Sequence, residues 1–252
     1  MTVGDIYSMI DSFAPFDAQE EWDNSGLLVG DKSREVKKIM LCLDITKAAA
    51  YEAVSEGASL VISHHPVIFD PLYTLFPDHP AVILANHGIS AICAHTNFDF
   101  AKGGMNDRLC DMLFGGLKPD GAIEDKTGLG RTVTLKEAIS ARELCEHIKN
   151  VLLCKEVRYT QTDSSIKKIG VITGSGGGYI KEAMEKGCDA LITGDVKHDA
   201  FITAANLGFC LIDAGHFYTE NIFCKALEEK LLGLTANVFI SKESRDVTTT
   251  LK

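Results

Sequence analysis

Several features are absent from this sequence, and each absence excludes a class of protein. No apolar run is long enough to cross a bilayer, and the first residues lack the basic region of a signal peptide, so we expect a cytoplasmic protein with no membrane partner. No dense run of lysine and arginine occurs, and the net charge is −10, which disfavours nucleic acid as a partner. The eight cysteines form no CxxC pair and several lie in apolar segments, so we expect buried reduced thiols, no disulfide and no thiolate zinc site.

The remaining composition is that of an ordinary globular protein. Of the 252 residues, 46% are hydrophobic and 24% are charged, which excludes a disordered, collagen-like or coiled-coil chain. The length suits one large domain or two smaller ones, each able to bury a core.

The pattern of apolar segments predicts alternating strands and helices. A first helix is capped by Thr2, with Asp5 at the capping-box position. Buried strands and helices then alternate, which favours an α/β architecture with mostly parallel, buried strands. The predicted strands cover residues 38–43, 59–63, 89–94, 155–160 and 237–240, and the predicted helices cover 48–56, 81–87 and 140–153.

The second half of the chain repeats the first. When residues 37–65 are placed on 167–195, seven of the 29 pairs are identical, including the helix-ending Gly57 and Gly187. Two generic βαβ units can resemble each other by chance, but the aligned glycines favour an internal duplication. Residues 115–135 are rich in glycine and charge and are interpreted as a boundary or surface loop. We therefore predict two related α/β domains, 1–126 and 127–252, with a metal site between the halves.

Histidines and carboxylates follow several of the predicted strands. Because ligands bind at the carboxyl ends of strands in open α/β sheets, these positions are candidates for a site. On a helix, a carboxylate four residues after a histidine shares its face, so the two converge. Imidazole and carboxylate without thiolate suit zinc, manganese or iron, and bridging carboxylates indicate two ions. The candidate metal ligands are His64, His65, Asp99, His216 and Glu220, with His95 preceding Asp99 by four residues.

Other polar positions allow two interpretations. His79, His87 and His147 are predicted to be ordinary hydrogen-bonded residues. The loop TGSGGG at 173–178 forms either a tight turn or an anion site, and the tight turn is favoured because the loop completes no phosphate-binding motif. In TGDVKHD at 193–199, Asp195 has either a polar role near the site or a helix-capping role.

Motifs spread over the chain resemble the Nif-three-like dinuclear metal-centre family, whose members are widely labelled GTP cyclohydrolase type 2 homologues. The resemblance is carried by VISHHP, AHTNFD followed by GGMNDRL, and LIDAGHFYTE, with further matches in EEWDNSGLLVG, GLGR and TGSGGG. It implies two related α/β domains, a hexameric toroid and two divalent ions per subunit, with Glu220 bridging and His95 as an additional ligand or a partner of the ligands. TGDVKHD is one residue shorter than the usual form, so His198 is not included, and the inserted middle domain of longer members is absent.

Two functions are consistent with these observations. The first is a metal-dependent hydrolase that uses a metal-activated water on a nucleotide-like or cyclic amide substrate, such as GTP. The second is a non-catalytic metal-binding scaffold or regulatory partner in which the homohexamer is the functional form. No residue motif identifies the substrate, and no catalytic side chain is assigned beyond the metal ligands.

Overall fold

The chain divides into two units that interleave in sequence. A computed structural model describes residues 1–249 and residue 251. The first unit comprises Met1–Lys102 and Phe223–Asp246, and the second comprises Gly103–Ile222 with the described residues from Val247 onward. The predicted boundary between residues 126 and 127 therefore differs from this division.

The first unit is built on a five-stranded sheet with the order β1-β4-β3-β2-β10. The pairs β10/β2, β2/β3 and β3/β4 are parallel, and β1 pairs antiparallel with β4 at one edge. A short 3-10 turn follows the first helix. The strands are β1 (Gly26–Val29), β2 (Lys38–Cys42), β3 (Leu60–Ser63), β4 (Ser90–Cys93) and β10 (Asn237–Ile240), and the helices are α1 (Val3–Phe13), α2 (Lys47–Ser55), α3 (Pro80–Asn86), α4 (Thr96–Phe100) and α10 (Phe223–Lys230).

The second unit contains a five-stranded sheet with the order β5-β7-β8-β9-β6. Its three central strands are parallel, and β5 and β6 are antiparallel to their neighbours at the two edges. The strands are β5 (Arg131–Ile139), β6 (Arg158–Tyr159), β7 (Ile166–Val171), β8 (Ala190–Thr193) and β9 (Cys210–Asp213), and the helices are α5 (Met105–Phe114), α6 (Ala141–Leu152), α7 (Ile180–Glu185), α8 (His198–Asn206) and α9 (His216–Glu220).

Strand register confirms that the two units are related. Leu60 pairs with Ser90 between β3 and β4, and Ala190 pairs with Cys210 between β8 and β9. Leu60 and Ala190 are 130 residues apart, which is the shift that places residues 37–65 on 167–195, and Ser90 and Cys210 are 120 residues apart. β2, β3, β4, β8 and β9 are buried along nearly their whole length, as expected for parallel sheets covered on both faces.

Local sequence signals explain most element boundaries. The capping box at the start of α1 is present. The amide of Asp5 donates a hydrogen bond to the hydroxyl of Thr2, and the carboxylate of Asp5 accepts one from the amide of Thr2. Gly57 has a positive φ of 67° just after α2, and Gly187 has 75° just after α7, which explains why the duplication keeps both glycines.

Two parts of the fold differ from the predictions. Residues 131–135, predicted as part of a loop, begin the edge strand β5. The strand β10 lies beside β2, so the chain returns to the first unit after completing most of the second. A division at residue 126 assigns this strand to the other half.

Two further features concern the cysteines and the helices. All eight cysteines are buried free thiols. Among the described residues, every helix is too short or too polar to cross a membrane.

Candidate metal centre

Two adjacent histidines extend from the central strand β3. The amide of His64 donates to the carbonyl of Cys42 and that of His65 to the carbonyl of Leu43, so pairing with the neighbouring segment continues past β3. Beyond this point the two side chains do not separate to opposite faces of the sheet. Their ring centroids lie 5.1 Å apart.

Hydrogen bonds to these two rings identify the nitrogen that can bind a metal. Nδ1 of His64 lies 2.9 Å from the carbonyl oxygen of Ala94, which can only accept, so Nδ1 carries the hydrogen. Nδ1 of His65 lies 2.7 Å from Oδ1 of Asp44. In each neutral ring the lone pair is then on Nε2, which is the atom available for a metal ion.

His95, which immediately precedes α4, is oriented in the same way by Asp23. Nδ1 of His95 lies 2.8 Å from Oδ1 of Asp23. Asp23 also accepts hydrogen bonds from the hydroxyls of Thr96 and Ser25. Burial alone would raise the pKa of Asp23, but the hydrogen bonds from His95 and the two hydroxyls hold this pKa well below its ordinary value. Asp23 is therefore ionised at neutral pH and accepts from His95.

The three histidines of the first unit form one donor set. The ligating atoms of His64, His65 and His95 all lie within 4.8 Å of one another. Oδ1 of Asp99 lies 3.8 Å from Nε2 of His64, which adds a carboxylate to the set. His64 is fully buried and Asp99 is 8% exposed. The sequence pairs Asp99 with His95 by spacing, whereas the structure brings its carboxylate to His64.

Two buried phenylalanines pack on one side of His64. Phe223 is fully buried, and its ring centroid lies 5.1 Å from that of His64. Phe98, also fully buried, packs edge-on against Phe223 at 5.6 Å. His64 therefore lies at an apolar boundary of the donor set, where a charged group is costly unless it is paired.

The second unit carries a histidine and a carboxylate on one helical face. Nε2 of His216 lies 2.9 Å from Oε2 of Glu220, one turn along α9, as the spacing predicts. Nδ1 of His216 lies 2.9 Å from Oδ2 of Asp195. Asp195 has a positive φ of 50°, a conformation that non-glycine residues rarely adopt. The structure thus supports the polar role of Asp195 beside a candidate ligand.

The loops that carry this second set depend on close backbone approach. A Cβ atom on Gly174 would stand 2.2 Å from Oε1 of Glu220, and one on Gly194 would stand 2.5 Å from the amide nitrogen of His216. Asp213 at the end of β9 accepts from the amides of Gly215 and Val196, which ties the two loops together. Glycine at 174 and 194 therefore makes room for the candidate pair His216 and Glu220.

The glycine-rich loop is explained by packing. The amide of Gly174 donates to the hydroxyl of Thr219, and the amide of Gly176 donates to the hydroxyl of Thr193. The loop also forms one wall of a cleft of about 470 Å³, which includes Asp195 in its lining. These contacts support the tight-turn interpretation over an anion site at these two amides.

All four candidate histidines share one arrangement. In each ring, Nδ1 lies 2.7 to 2.9 Å from an oxygen acceptor, which is a carboxylate for three of them and a carbonyl for His64. Such partners fix the tautomer and orientation of metal-bound histidines and increase their basicity. The donors are nitrogen and oxygen only, a set that suits zinc, manganese or iron. The residues of both units fit divalent metal ions.

Comparison with known proteins identifies the family. The model of the family Duf34/NIF3 (NGG1p interacting factor 3) matches residues 1–246 of the chain. The chain belongs to the Duf34/NIF3 family. A Clostridium perfringens relative named GTP cyclohydrolase 1 type 2 homolog is 34% identical, with 98% of each chain covered. A Helicobacter pylori relative named GTP cyclohydrolase 1 type 2 is 38% identical over 91% of each chain.

A solved structure shows the same fold. A Staphylococcus aureus hypothetical protein superposes with a TM-score of 0.93 at 27% identity, covering 100% of this chain and 99% of the other. The resemblance inferred from the motifs is therefore confirmed, together with the α/β fold class.

Of the residues that orient the four histidines, only Asp195 was considered near the site from the sequence. Asp23 is 72 residues from His95, and Asp44 is 21 residues from His65. The available signal was weak: Asp44 follows β2, and Asp23 lies in the motif EEWDNSG.

The histidines predicted to be ordinary are hydrogen-bonded elsewhere. His79 accepts from the amide of Ala81 at the start of α3. The ring of His87 is hydrogen-bonded to the carbonyl of Ile83, and the ring of His147 is hydrogen-bonded to the carbonyl of Leu113. His198, omitted from the ligand list, is an exposed residue at the start of α8.

Proposed function

We propose that this protein binds two divalent metal ions per chain and is a metal-dependent hydrolase. The proposed ligands are His64, His65 and Asp99 from the first unit and His216 and Glu220 from the second, with Glu220 bridging. His95 is a further ligand or an orienting partner. The metal is zinc, manganese or iron, which imidazole and carboxylate donors accommodate.

The observation that carries the proposal is that all four histidine rings are hydrogen-bonded at Nδ1 in the same way. A structural histidine needs only one satisfied polar atom, as in His87. Here every ring has an oxygen partner at Nδ1, and for His64 and His216 a carboxylate oxygen lies at Nε2, at 3.8 Å and 2.9 Å respectively. Converging Nε2 atoms and carboxylates are the donor pattern of a metal centre.

Divalent ions at such a centre supply a nucleophilic water at neutral pH and polarise a carbonyl or phosphoryl oxygen. The chain's own residues hold and orient the ligands. Asp44 and Asp195 fix the rings of His65 and His216, and Gly174 leaves the space that Glu220 occupies.

The substrate class proposed is a nucleotide-like or cyclic amide compound. Support comes from relatives named GTP cyclohydrolase 1 type 2 or its homolog, which cover nearly the whole chain. GTP is therefore the first substrate to examine, with other nucleotides and cyclic amides in the same panel.

The test is turnover by protein loaded with zinc, manganese or iron. The wild type is expected to open the ring of GTP or hydrolyse another member of the panel, followed by chromatography of the products. Glu220→Gln, which keeps the size of the side chain, is expected to lose at least about a hundredfold in rate, the loss of a group that stabilises charge in the transition state. Failure of every substrate with the loaded protein would overturn the hydrolase proposal.

A metal-binding scaffold or regulatory partner is the second candidate. The family description, NGG1p interacting factor 3, favours it. In that case Glu220→Ala loosens the oligomer without removing any turnover. Sedimentation of the wild type and this variant distinguishes the two functions.

We further propose a homohexamer, the assembly implied by the family resemblance, in the cytoplasm. Sedimentation equilibrium of the metal-loaded wild type tests the assembly. A mass of about six chains is expected, and a monomer across the accessible concentrations would contradict it.

A further inference from the structure

Two exposed aromatic rings flank His95 in the first unit. The ring centroid of Trp22 lies 6.0 Å from that of His95, and the centroid of Phe69 lies 6.4 Å from it. Trp22 and Phe69 lie 5.9 Å apart. Both are nearly perpendicular to the imidazole, at 74° and 75°. We call Trp22 and Phe69 the aromatic pair.

The loops that carry the aromatic pair are held in position by hydrogen bonds. The side-chain amide of Asn24, two residues after Trp22, donates at 2.7 Å to the carbonyl of Ile68, the residue before Phe69. Asp23 binds both the ring of His95 and the amide of Thr96. The two rings are therefore attached to the same framework that orients His95.

Exposure of these rings is not explained by packing. Trp22 is 59% exposed and Phe69 is 47% exposed. Large aromatic side chains contribute most to stability when buried, so two that are fixed in place and left exposed indicate a surface for recognition. Their position beside the candidate metal donors indicates what is recognised, since a substrate bound there lies against them.

We propose that the aromatic pair binds the planar heterocyclic ring of the substrate by stacking, an inference that rests on the proposed function. Aromatic faces bind any planar π system, and base-on-aromatic stacking is a common mode of nucleotide recognition. The exposed carboxylates Glu21 and Asp70 adjoin the two rings in sequence, and carboxylates accept hydrogen bonds. A ring that carries N–H donors, as an aminopurine does, suits this surface better than a bare phosphate does.

Trp22 makes the proposal directly measurable, because it is the only tryptophan of the chain. Its fluorescence, excited at the red edge of the indole band, is followed while guanosine 5′-monophosphate is added to metal-loaded protein. Ribose 5-phosphate, which has the same phosphate but no heterocycle, is the matched control ligand. We expect saturable quenching by the nucleotide and none by the sugar phosphate.

Variants separate stacking from other effects. Phe69→Leu keeps an apolar side chain but removes the ring, and it is expected to weaken nucleotide binding about tenfold, equivalent to about 1.4 kcal/mol. Trp22→Leu, measured by calorimetry, is expected to weaken binding at least as much. Tyr51→Leu removes an aromatic residue of similar exposure, 49%, from α2 of the same unit and is expected to change nothing.

Three results would overturn the proposal. One is the absence of saturable quenching by the nucleotide. Another is equal binding by wild type and Phe69→Leu. The third is a change of Trp22 emission with protein concentration alone, tracking sedimentation, which would assign the aromatic pair to contact with a second copy of the chain.

Metal content distinguishes failure of this proposal from failure of the proposed function. Phe69→Leu is expected to retain the metal content of the wild type, because it lies outside the donor set. Loss of nucleotide binding with metal retained supports stacking, whereas a wild type without metal contradicts the proposed function independently of the fluorescence result.

Discussion

Replacing Asp195 with asparagine tests how the second unit prepares His216 for a metal ion. Oδ2 of Asp195 lies 2.9 Å from Nδ1 of His216, so the carboxylate fixes the ring with Nε2 towards Glu220. Asparagine keeps the shape of the side chain, and its tolerance of positive φ matches the 50° of this position. The substitution therefore removes the charge and the fixed acceptor with little change to the backbone.

The expected loss in metal affinity is tenfold to a hundredfold. Carboxylate partners of metal-bound histidines have effects of about this size, which corresponds to roughly 1.4 to 2.8 kcal/mol. The side chain of Asp195 is 63% exposed, so the free energy of unfolding is expected to change by no more than about 0.5 kcal/mol. A large effect on metal and a small effect on stability form the signature of an orienting residue.

The assay is competition with a chromogenic chelator, using zinc or manganese at fixed pH. Asp199→Asn is the matched control, because Asp199 is exposed in the first turn of α8 and lines the same cleft. It removes the same charge without touching His216 in any described hydrogen bond. Equal metal affinity of Asp195→Asn and wild type, or an equal loss in Asp199→Asn, would refute the reasoning.

Three further predictions concern packing and the buried thiols. Gly174→Ala is expected to displace Glu220 and release metal, because its Cβ would stand 2.2 Å from the carboxylate. Gly178→Ala, whose Cβ would have no atom within 4 Å, is expected to retain the metal. Metal analysis of the two variants checks both expectations. Phe98→Ala is expected to cost about 3–5 kcal/mol in urea unfolding, because the ring is fully buried. Burial raises the pKa of Cys110 from 9.0 to about 12, so between these pH values the folded state keeps a proton that the unfolded state loses. The contribution of this thiol to the free energy of unfolding is therefore fully present below pH 9 and is lost as the pH rises towards 12. Thermal unfolding at a series of pH values measures the loss.

Each of these has a result that contradicts it. For the glycines it is equal metal content in the two variants. For the phenylalanine it is an unfolding free energy within about 1 kcal/mol of wild type, which would mean that the cavity collapses at little cost. For the thiol it is a thermal midpoint that stays constant from pH 9 to pH 12 in wild type, or that falls equally in Cys110→Ala.

The central strands could be predicted because their signal is local and strong. β2, β3 and β4 are continuous apolar runs, and shifts of 130 residues for β2 and β3 and 120 residues for β4 align them with β7, β8 and β9 of the second unit. The edge strands differ in signal. Strands were predicted at 155–160 and 237–240, where the edge strands β6 and β10 lie, although β6 is only two residues long. β1 is buried only at its two ends, so it shows no strand pattern over enough residues.

The domain boundary could not be predicted because it depends on pairing between distant segments. β10 lies beside β2, whose residues precede it by almost 200 positions: Asn237 pairs with Lys38. Apolar patterning indicates that a strand forms but not which strand it joins. An internal repeat favours a division into equal halves, and the returning segment does not follow it.

The candidate site was predicted where helix geometry fixes it. His216 and Glu220 converge because residues four apart on a helix share a face. Asp99 shares this spacing with His95 but lies near His64, because the rings are directed by partners such as Asp23 that only the fold brings close. The candidate ligands can thus be selected from the sequence, whereas the orientation of their side chains is a property of the tertiary structure.

Metal content per chain tests the central claim most directly. Protein is purified without chelator or affinity-tag metal and analysed by plasma mass spectrometry, beside a variant carrying His64→Ala and Glu220→Ala. Near two ions per wild-type chain, lost in the variant while its thermal unfolding remains cooperative, is the expected result. A wild type that holds no metal even after incubation with zinc, manganese and iron would contradict the account.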